Sequence, residues 1–178
     1  EAAQFNNLVS RRLSGEPVAY ITGHKEFMGL DFFVSTAVLI PRPETELLVE
    51  EALKILPSSP VVIDVGTGSG AIAVSLAFYN REALVYATDR CGESLEVARR
   101  NAVRHGVSDR IFLCRGDLLK PLKACLEAGG ADLVAANLPY IAECDLPQLP
   151  REVRMFEPQL ALDGGADGLE HYRRLIPE

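Results

Sequence analysis

The sequence has no tryptophan, only three histidines and four cysteines, and no long run of apolar residues. Neither a Cys-x-x-Cys pair nor a zinc-ligand spacing occurs among Cys91, Cys114, Cys125 and Cys144. We therefore expect thiols in a reducing compartment, no disulfide framework and no metal site. No apolar stretch approaches the roughly 20 residues needed to span a membrane, and no signal-peptide pattern is present. We expect a soluble protein of the cytoplasm, with an organelle as the alternative, and no membrane partner.

The chain carries no excess of positive charge. It has 18 Lys and Arg residues against 25 Asp and Glu residues, a formal net charge of −7. This balance argues against broad, non-specific attachment to nucleic acid and favours a protein or small-molecule partner. With 178 residues, of which 48% are hydrophobic and 24% charged, the chain can bury the core of one globular α/β domain without disulfides.

A glycine-rich stretch from Val61 to Gly70 carries the most specific local pattern. Apolar residues flank Asp64, three glycines then alternate with small polar residues, and a helix-like run begins at Ala71. This order predicts a buried strand, a tight turn and a helix. Because glycines leave no side chains over the turn and the helix presents unpaired N–H groups there, the turn suits a flat, polar, nucleoside-like ligand.

The same stretch leaves the ligand class open. The spacing Gly66-x-Gly68-x-x-Ala71 also fits the dinucleotide fingerprint, so a nicotinamide enzyme is one alternative, and a plain glycine-rich turn is another. Asp64 stands inside the strand end, before the first glycine, where a carboxylate faces a cationic amino group better than a pyrophosphate. That position favours S-adenosylmethionine.

Three further segments repeat the strand pattern after the glycine-rich stretch. They are Leu84–Asp89, Ile111–Asp117 and Ala131–Asn137, and helix-like segments are predicted at Glu93–His105 and Leu122–Ala128. Four strands joined by such crossovers predict a parallel sheet whose ligands bind beyond the carboxyl ends of the strands. The residues expected along that one rim are Asp64, Asp89, Asp117 and Asn137.

Different patterns precede the glycine-rich stretch. Glu1–Leu13 is predicted as a short amphipathic helix, and Gly29 between aromatic residues indicates a β-hairpin over Glu26–Val34. Two prolines hold Pro41–Pro43 extended before acidic residues open a helix of about three turns.

Two aspartates end the second and third predicted strands. Asp89 lies roughly 20 residues beyond the glycines, a position at which a carboxylate can accept hydrogen bonds from both ribose hydroxyls. The alternative is that Asp89 caps the next helix. Asp117 could accept a hydrogen bond from an adenine amino group across the strand end. The alternative is that it is a solvated turn residue. Both alternatives stay open for each aspartate.

The segment Asn137-Leu138-Pro139-Tyr140 follows the fourth predicted strand. Methylation of a planar amide or aromatic amine needs a nitrogen held in place, because its lone pair is delocalised and poorly nucleophilic. The Asn137 side-chain carbonyl and a nearby backbone carbonyl can each accept a hydrogen bond from one N–H of that nitrogen. The remaining side of the nitrogen then faces the methyl donor. Pro139 would stiffen the loop and Tyr140 would supply a face for the planar group; a simple Asn-x-Pro turn is the alternative.

Together these motifs resemble a known family. Asp64–Gly70, the Pro-Arg-Pro-Glu-Thr-Glu of Pro41–Glu46, and Asn137–Tyr140 look like motifs of the release-factor glutamine methyltransferases, the PrmC/HemK family of class I S-adenosylmethionine-dependent methyltransferases. The late stretch Glu157–Leu169, with its Gly-Gly-x-Asp-Gly, also resembles a segment of that family. The similarity runs from about Glu16 to the C-terminus. The glycine motif marks only the superfamily, whereas the proline-rich and late stretches mark the family.

The resemblance implies a Rossmann-like α/β fold with a parallel central sheet. It also implies transfer of a methyl group from S-adenosylmethionine, leaving S-adenosylhomocysteine, to the glutamine amide in the Gly-Gly-Gln loop of peptide chain release factors. It assigns catalysis to Asn137, Pro139 and Tyr140. Carried over by position, the cofactor-binding residues are Asp64, Gly66, Thr67, Gly68, Gly70, Asp89, Asp117 and Asn137. The substrate-binding residues are Asn137, Leu138, Pro139, Tyr140, Pro41, Thr45 and Glu46.

Two departures from the family leave alternatives open. Leu138 replaces the first proline of the family's Asn-Pro-Pro-Tyr, and Asn-Leu-Pro-Tyr instead resembles the ribosomal RNA adenine dimethyltransferases, so an adenine amino-group methyltransferase acting on RNA or DNA is one alternative. The chain begins at Glu1 rather than methionine and lacks part of the family's length, so we expect truncation at both ends. Residues 1–23 are then the remnant of a helical N-terminal domain and linker. Residues 24–178 are the S-adenosylmethionine-binding domain without its last strands, and a non-catalytic binding module is the other alternative.

Overall fold

Two helices form the N-terminal end of the computed structural model, which describes residues 2–123 and 129–178. Helix α1 spans Ala2–Leu13 and α2 spans Val18–Thr22. The apolar side chains of Phe5 and Leu13 on α1 are 65% and 80% exposed. The helix predicted at the start of the chain is confirmed, and its apolar residues face solvent in this chain.

A β-hairpin follows, as the aromatic residues around the central glycine predicted. Strands β1 (His24–Phe27) and β2 (Leu30–Phe33) pair antiparallel. Met28 and Gly29 make the turn with φ angles of 52° and 68°. Positive φ at both central residues is what a type I′ turn requires, and its twist matches that of the two strands.

Helix α3 spans Pro43–Ile55 and begins where the proline-rich stretch predicted. The preceding Arg42 is extended, with φ −101° and ψ 143°, and the first helical residue is a proline, whose missing N–H costs nothing there. Glu44 and Glu46 lie in the first turn, where negative charge is favourable to the helix dipole. The predicted extended segment and three-turn helix are therefore both confirmed.

Four parallel strands form the centre of the fold. They are β3 (Val61–Val65), β4 (Leu84–Asp89), β5 (Ile111–Arg115) and β6 (Leu133–Ala136), and helices α4 (Ala71–Tyr79) and α5 (Gly92–Arg104) follow β3 and β4. The predicted parallel sheet with flanking helices, preceded by a hairpin, is confirmed. The third and fourth strands end earlier than predicted, because Asp117 and Asn137 already belong to loops beyond the sheet.

The strands are ordered β5-β4-β3-β6 across the sheet. The chain thus runs outward from β3 through β4 to β5, and then returns to the other side of β3 with β6. In this register Asp64 lies opposite Ala87 on β4 and Ala135 on β6. The loops after β3 and β6 diverge from each other at this switch point, where doubly wound folds bind their ligands.

Apolar clusters cover both faces of the sheet, because alternate residues of a strand point to opposite sides. Val62 and Val85 belong to the larger cluster, which includes Leu76 of α4. Ile63 belongs to a second cluster on the other face, together with Leu138 from the loop after β6. The glycine-rich turn and the loop after β6 are therefore attached to a buried core.

Two short helices, α6 (Arg151–Phe156) and α7 (Glu170–Leu175), lie in the C-terminal part of the chain. The helix predicted at 122–128 falls mostly on Ala124–Ala128, which lie outside the described residues. Within the part of the chain that the structure describes, no helix has the length and apolarity that crossing a membrane requires.

Candidate active site

The turn after β3, which we call the glycine loop (Gly66–Gly70), has the unusual backbone that its sequence predicted. Its three glycines have φ angles of 74°, 55° and 79°, a region that favours glycine. A Cβ atom added at Gly68 would meet nothing within 4 Å, whereas one at Gly70 would lie 3.1 Å from the Cβ of Ala98. Gly68 therefore leaves open space over the backbone, and Gly70 allows α5 to pack closely.

Asp64 anchors the glycine loop from behind. Its side chain is fully buried, and Oδ2 accepts hydrogen bonds from Thr67 Oγ1 at 2.7 Å and from the Ala73 N–H at 3.2 Å. Its Oδ1 has no hydrogen-bond partner among the described residues. Burial raises the pKa of Asp64 to about 6, although the bonds from Thr67 and Ala73 act in the opposite direction. The carboxylate thus faces the core, and not the space above the loop where the sequence placed it.

Asp89, at the end of β4, ties the glycine loop to the start of α5. Its Oδ2 accepts the Gly68 N–H and its Oδ1 accepts the Cys91 N–H, both at 2.9 Å. Burial raises the pKa of Asp89, and the backbone hydrogen bonds to Cys91 and Gly68 partly offset that effect. Each carboxylate oxygen keeps a further lone pair for a ligand hydroxyl.

Asp117 has the contacts of a turn residue, one of the two alternatives that the sequence left open for it. Its Oδ2 accepts from Lys120 Nζ at 2.9 Å and pairs with Arg174, as a residue of a charged turn would. Burial alone would raise the pKa of Asp117, but the contacts with Lys120 and Arg174 outweigh it and lower the pKa. Its Oδ1 is buried and has no hydrogen-bond partner among the described residues. Asp117 also lines the cleft described below.

The loop after β6, which we call the Asn-Pro loop (Asn137–Tyr140), faces the glycine loop. Asn137 donates from Nδ2 to Thr45 Oγ1 at 3.1 Å, which leaves its carbonyl oxygen for another partner. The Leu138 side chain is buried, and its Cδ2 lies 2.9 Å from the place that a Cβ at Gly66 would take. Leu138 therefore packs behind the glycine loop. Tyr140 is 63% exposed at the edge of the site.

The segment that leads into the first turn of α3, which we call the proline loop (Ile40–Glu46), is held by a buried carboxylate that the sequence analysis left without a role. The Glu157 side chain is 1% exposed and pairs with Arg42, and its Oε2 accepts the Ile40 N–H at 3.2 Å. Glu46 turns away from the site, since its Oε1 accepts the Met28 N–H of the hairpin at 2.8 Å. The only signal for Glu157 was its place at the head of the late family-like stretch.

The late glycines support the Asn-Pro loop directly. A Cβ at Gly168 would lie 2.3 Å from the Tyr140 carbonyl oxygen, and one at Gly164 would lie 2.8 Å from the Tyr140 Cα. The Gly164 N–H also donates to the Ile141 carbonyl at 2.8 Å. No side chain fits between these backbones, which explains physically why this stretch is rich in glycine.

A second residue that the sequence analysis missed, Asn101, joins three elements. It is fully buried on α5, where its Nδ2 donates to the carbonyls of Phe33 and Ser69 at 2.9 and 2.8 Å, and its Oδ1 accepts the Phe33 N–H at 2.8 Å. Asn101 thus fastens the glycine loop and the hairpin to one helix. A polar residue on the buried face of a predicted helix was the signal that could have identified it.

These loops enclose a cleft of about 1090 Å³, part of which is open to solvent. Its lining brings together ten of the predicted site residues: Gly66, Thr67, Gly68, Asp89, Asp117, Asn137, Leu138, Pro139, Pro41 and Thr45. Four predicted site residues lie outside that lining: Asp64, Gly70, Glu46 and Tyr140. The cleft has apolar walls and a few converging polar groups, the usual character of a small-molecule site.

Comparison with known proteins defines the class of this fold and site. Residues 57–161 match the family described as methyltransferase domain, and residues 1–23 match the PrmC N-terminal domain. The chain therefore belongs to the methyltransferase domain family. Wild-type Trm5b from Pyrococcus abyssi has a similar fold, with a TM-score of 0.50 and 20% identity over 66% of this chain and 33% of that chain. The expected Rossmann-like methyltransferase fold is thus confirmed.

Curated relatives show a more specific similarity. The chain is 50% identical to the release factor glutamine methyltransferase of Moorella thermoacetica, over 99% of this chain and 61% of the relative. It is 49% identical to that of Nitratidesulfovibrio vulgaris, over 98% of this chain and 58% of the relative. The resemblance read from the motifs is confirmed, and the chain spans about three fifths of the length of these relatives.

Proposed function

We propose that the protein transfers a methyl group from S-adenosylmethionine to the side-chain amide of the glutamine in the Gly-Gly-Gln loop of peptide chain release factors. The observation that carries this proposal is the position of Asn137. It lies in the same cleft as the glycine loop, and Thr45 holds its NH2 group. The names of the curated relatives support the choice of acceptor.

The cleft offers open backbone and carboxylate groups that the cofactor would need. Gly68 leaves the backbone open toward the cleft, which lets an extended ligand approach it closely. Asp89 offers two carboxylate oxygens to the ribose hydroxyls, and Asp117 offers its Oδ1 to the adenine amino group. Asp64 acts behind the loop and keeps it in shape. When bound, S-adenosylmethionine supplies a methyl group on a positively charged sulfur.

The Asn-Pro loop would orient the acceptor amide. Because Thr45 accepts from Asn137 Nδ2, the Asn137 carbonyl oxygen remains to accept one N–H of the substrate. The backbone carbonyl of Leu138 would accept the other N–H. With both N–H groups held in the amide plane, one face of the nitrogen is turned toward the methyl donor, and this orientation lowers the barrier.

The departure at Leu138 does not argue for a different acceptor. Although the residue lines the cleft, its side chain is buried against Gly66 and belongs to the apolar cluster that contains Ile63. The two acceptor oxygens belong to the Asn137 side chain and to the Leu138 backbone, and neither belongs to the side chain that departs from the family. Methylation of adenine is retained as an outcome of the test below.

We further propose that residues 24–178 form the cofactor-binding domain and that residues 1–23 belong to a helical N-terminal domain. The match of residues 1–23 to the PrmC N-terminal domain and the exposed apolar side chains of α1 support this division. Apolar residues such as Phe5 and Leu13 would be covered by the rest of that domain.

The test is a methyl-transfer assay with the whole protein, S-adenosylmethionine carrying a labelled methyl group, and a release factor. Mass spectrometry of the treated factor should find one methyl group on the Gly-Gly-Gln glutamine and none when that glutamine is replaced by alanine. Labelling of adenine in RNA in preference to the factor would overturn the proposal. Binding of S-adenosylhomocysteine without any methyl transfer would point instead to a non-catalytic binding module.

A further inference from the structure

The peptide bond between Leu138 and Pro139 has only one group that can form a hydrogen bond. Proline has no N–H, so the Leu138 carbonyl is the one hydrogen-bonding group of that peptide. In the structure this carbonyl accepts a hydrogen bond from the Tyr172 hydroxyl at 3.2 Å, across 34 residues of sequence. Tyr172 stands outside the motifs that the sequence analysis assigned to the site.

Tyr172 is held in place through its ring and through the helix that carries it. Its ring packs against the apolar cluster that contains Leu138 and Ile63. At the start of α7, the Glu170 N–H donates to the Gly164 carbonyl at 3.1 Å, and His171 Nε2 lies 3.1 Å from the Asp163 carbonyl oxygen. A tyrosine hydroxyl is protonated at neutral pH, and burial raises the pKa of Tyr172 further, so the group is a donor there.

We propose that Tyr172 is a positioning residue, which sets the direction of the Leu138 carbonyl and thereby the orientation of the acceptor amide. This inference rests on the proposed function, in which that carbonyl accepts one substrate N–H. A carbonyl oxygen has two lone pairs. Tyr172 occupies one of them and leaves the other for the substrate.

Loss of the hydroxyl would act on the chemical step and not on the cofactor. Without it, the Leu138 carbonyl loses the one hydrogen bond that it accepts within the described part of the chain, and the acceptor amide spends less time in the reactive orientation. Removing one such hydrogen bond should lower kcat about tenfold. The affinity for S-adenosylhomocysteine should stay at the wild-type level, because Tyr172 is not one of the described residues that line the cleft.

The test compares Tyr172→Phe with Tyr79→Phe in the whole protein. Tyr79 is a matched control, since its hydroxyl also donates to a backbone carbonyl, that of Met28, away from the cleft. Titration calorimetry with S-adenosylhomocysteine gives the cofactor affinity and, from the stoichiometry, the folded fraction that normalises each rate. Methyl transfer to the release factor then gives kcat and KM.

The expected result is an approximately tenfold lower normalised kcat for Tyr172→Phe alone, with unchanged cofactor affinity in both variants. Equal normalised kcat values for the two variants would overturn the inference and leave the proposed function intact. A tenfold loss of cofactor affinity in Tyr172→Phe would overturn it as well, because the residue would then shape the cofactor site. A wild-type protein that labels no glutamine would overturn the proposed function and this inference with it.

Discussion

The contribution of the buried Asp64 carboxylate to the stability of this protein should fall as the pH rises from acid to neutral. Burial raises its pKa from 3.8 to about 6. A group with a raised pKa contributes stability that is fully present below its unfolded pKa and is lost as the pH rises through its folded pKa. This rise in the pKa corresponds to roughly 3 kcal/mol of stability, of which roughly 2 kcal/mol is lost between about pH 4 and pH 7.

Asp64→Asn removes this ionisation and keeps much of the local geometry. The amide oxygen can still accept from Thr67 and Ala73, which now bond to Oδ2. The NH2 group takes the place of Oδ1, which has no hydrogen-bond partner among the described residues. Burying this NH2 group without a partner lowers the stability of the variant by an amount that does not vary with pH. This constant amount does not affect how the difference in stability between variant and wild type changes with pH.

The assay is urea unfolding at a series of pH values from about 4 to 7, with the free energy of unfolding extrapolated to water. The difference between Asp64→Asn and wild type should shift by roughly 2 kcal/mol in favour of the variant across this range. Asp109→Asn, which changes the same kind of group at an exposed position, is the control and should follow wild type. If Asp64→Asn runs parallel to wild type over the whole range, the reasoning about burial is refuted.

Three further substitutions separate the functions of the site. Asp89→Ala should weaken binding of S-adenosylhomocysteine at least tenfold, since it removes hydrogen bonds to a charged group worth roughly 1.5 to 3 kcal/mol each; unchanged affinity by calorimetry would remove Asp89 from the cofactor site. Asn137→Ala should lower methyl transfer about a hundredfold while cofactor affinity stays near wild type, and a variant that keeps its turnover would contradict the assigned role. Asn101→Leu should lower the free energy of unfolding by roughly 2 to 4 kcal/mol, because three buried hydrogen bonds are lost. It should also weaken cofactor binding, because the glycine loop loses its hydrogen bond to α5. A change below roughly 1 kcal/mol in urea unfolding would show that these hydrogen bonds contribute little.

The sequence by itself determined the elements whose cause is local. Apolar runs ending in a polar residue predicted the parallel strands, and the glycines of Gly66–Gly70 predicted a left-handed backbone because few other residues adopt it. Gly29 between aromatic residues predicted the hairpin, and the prolines at 41 and 43 predicted where α3 begins. The shared rim followed from topology, since the carboxyl ends of parallel strands meet at one edge of a sheet.

The tertiary structure alone decided which way the polar side chains of these elements turn. Asp64 faces the core behind the glycine loop and Glu46 faces the hairpin, although both lie in motifs read as belonging to the site. The residues that hold the site together act across long stretches of chain: Tyr172 on the Leu138 carbonyl over 34 residues, and Glu157 on the Ile40 N–H over 117. A pattern of neighbouring residues carries no information about such contacts, because they form only when separate elements pack against one another.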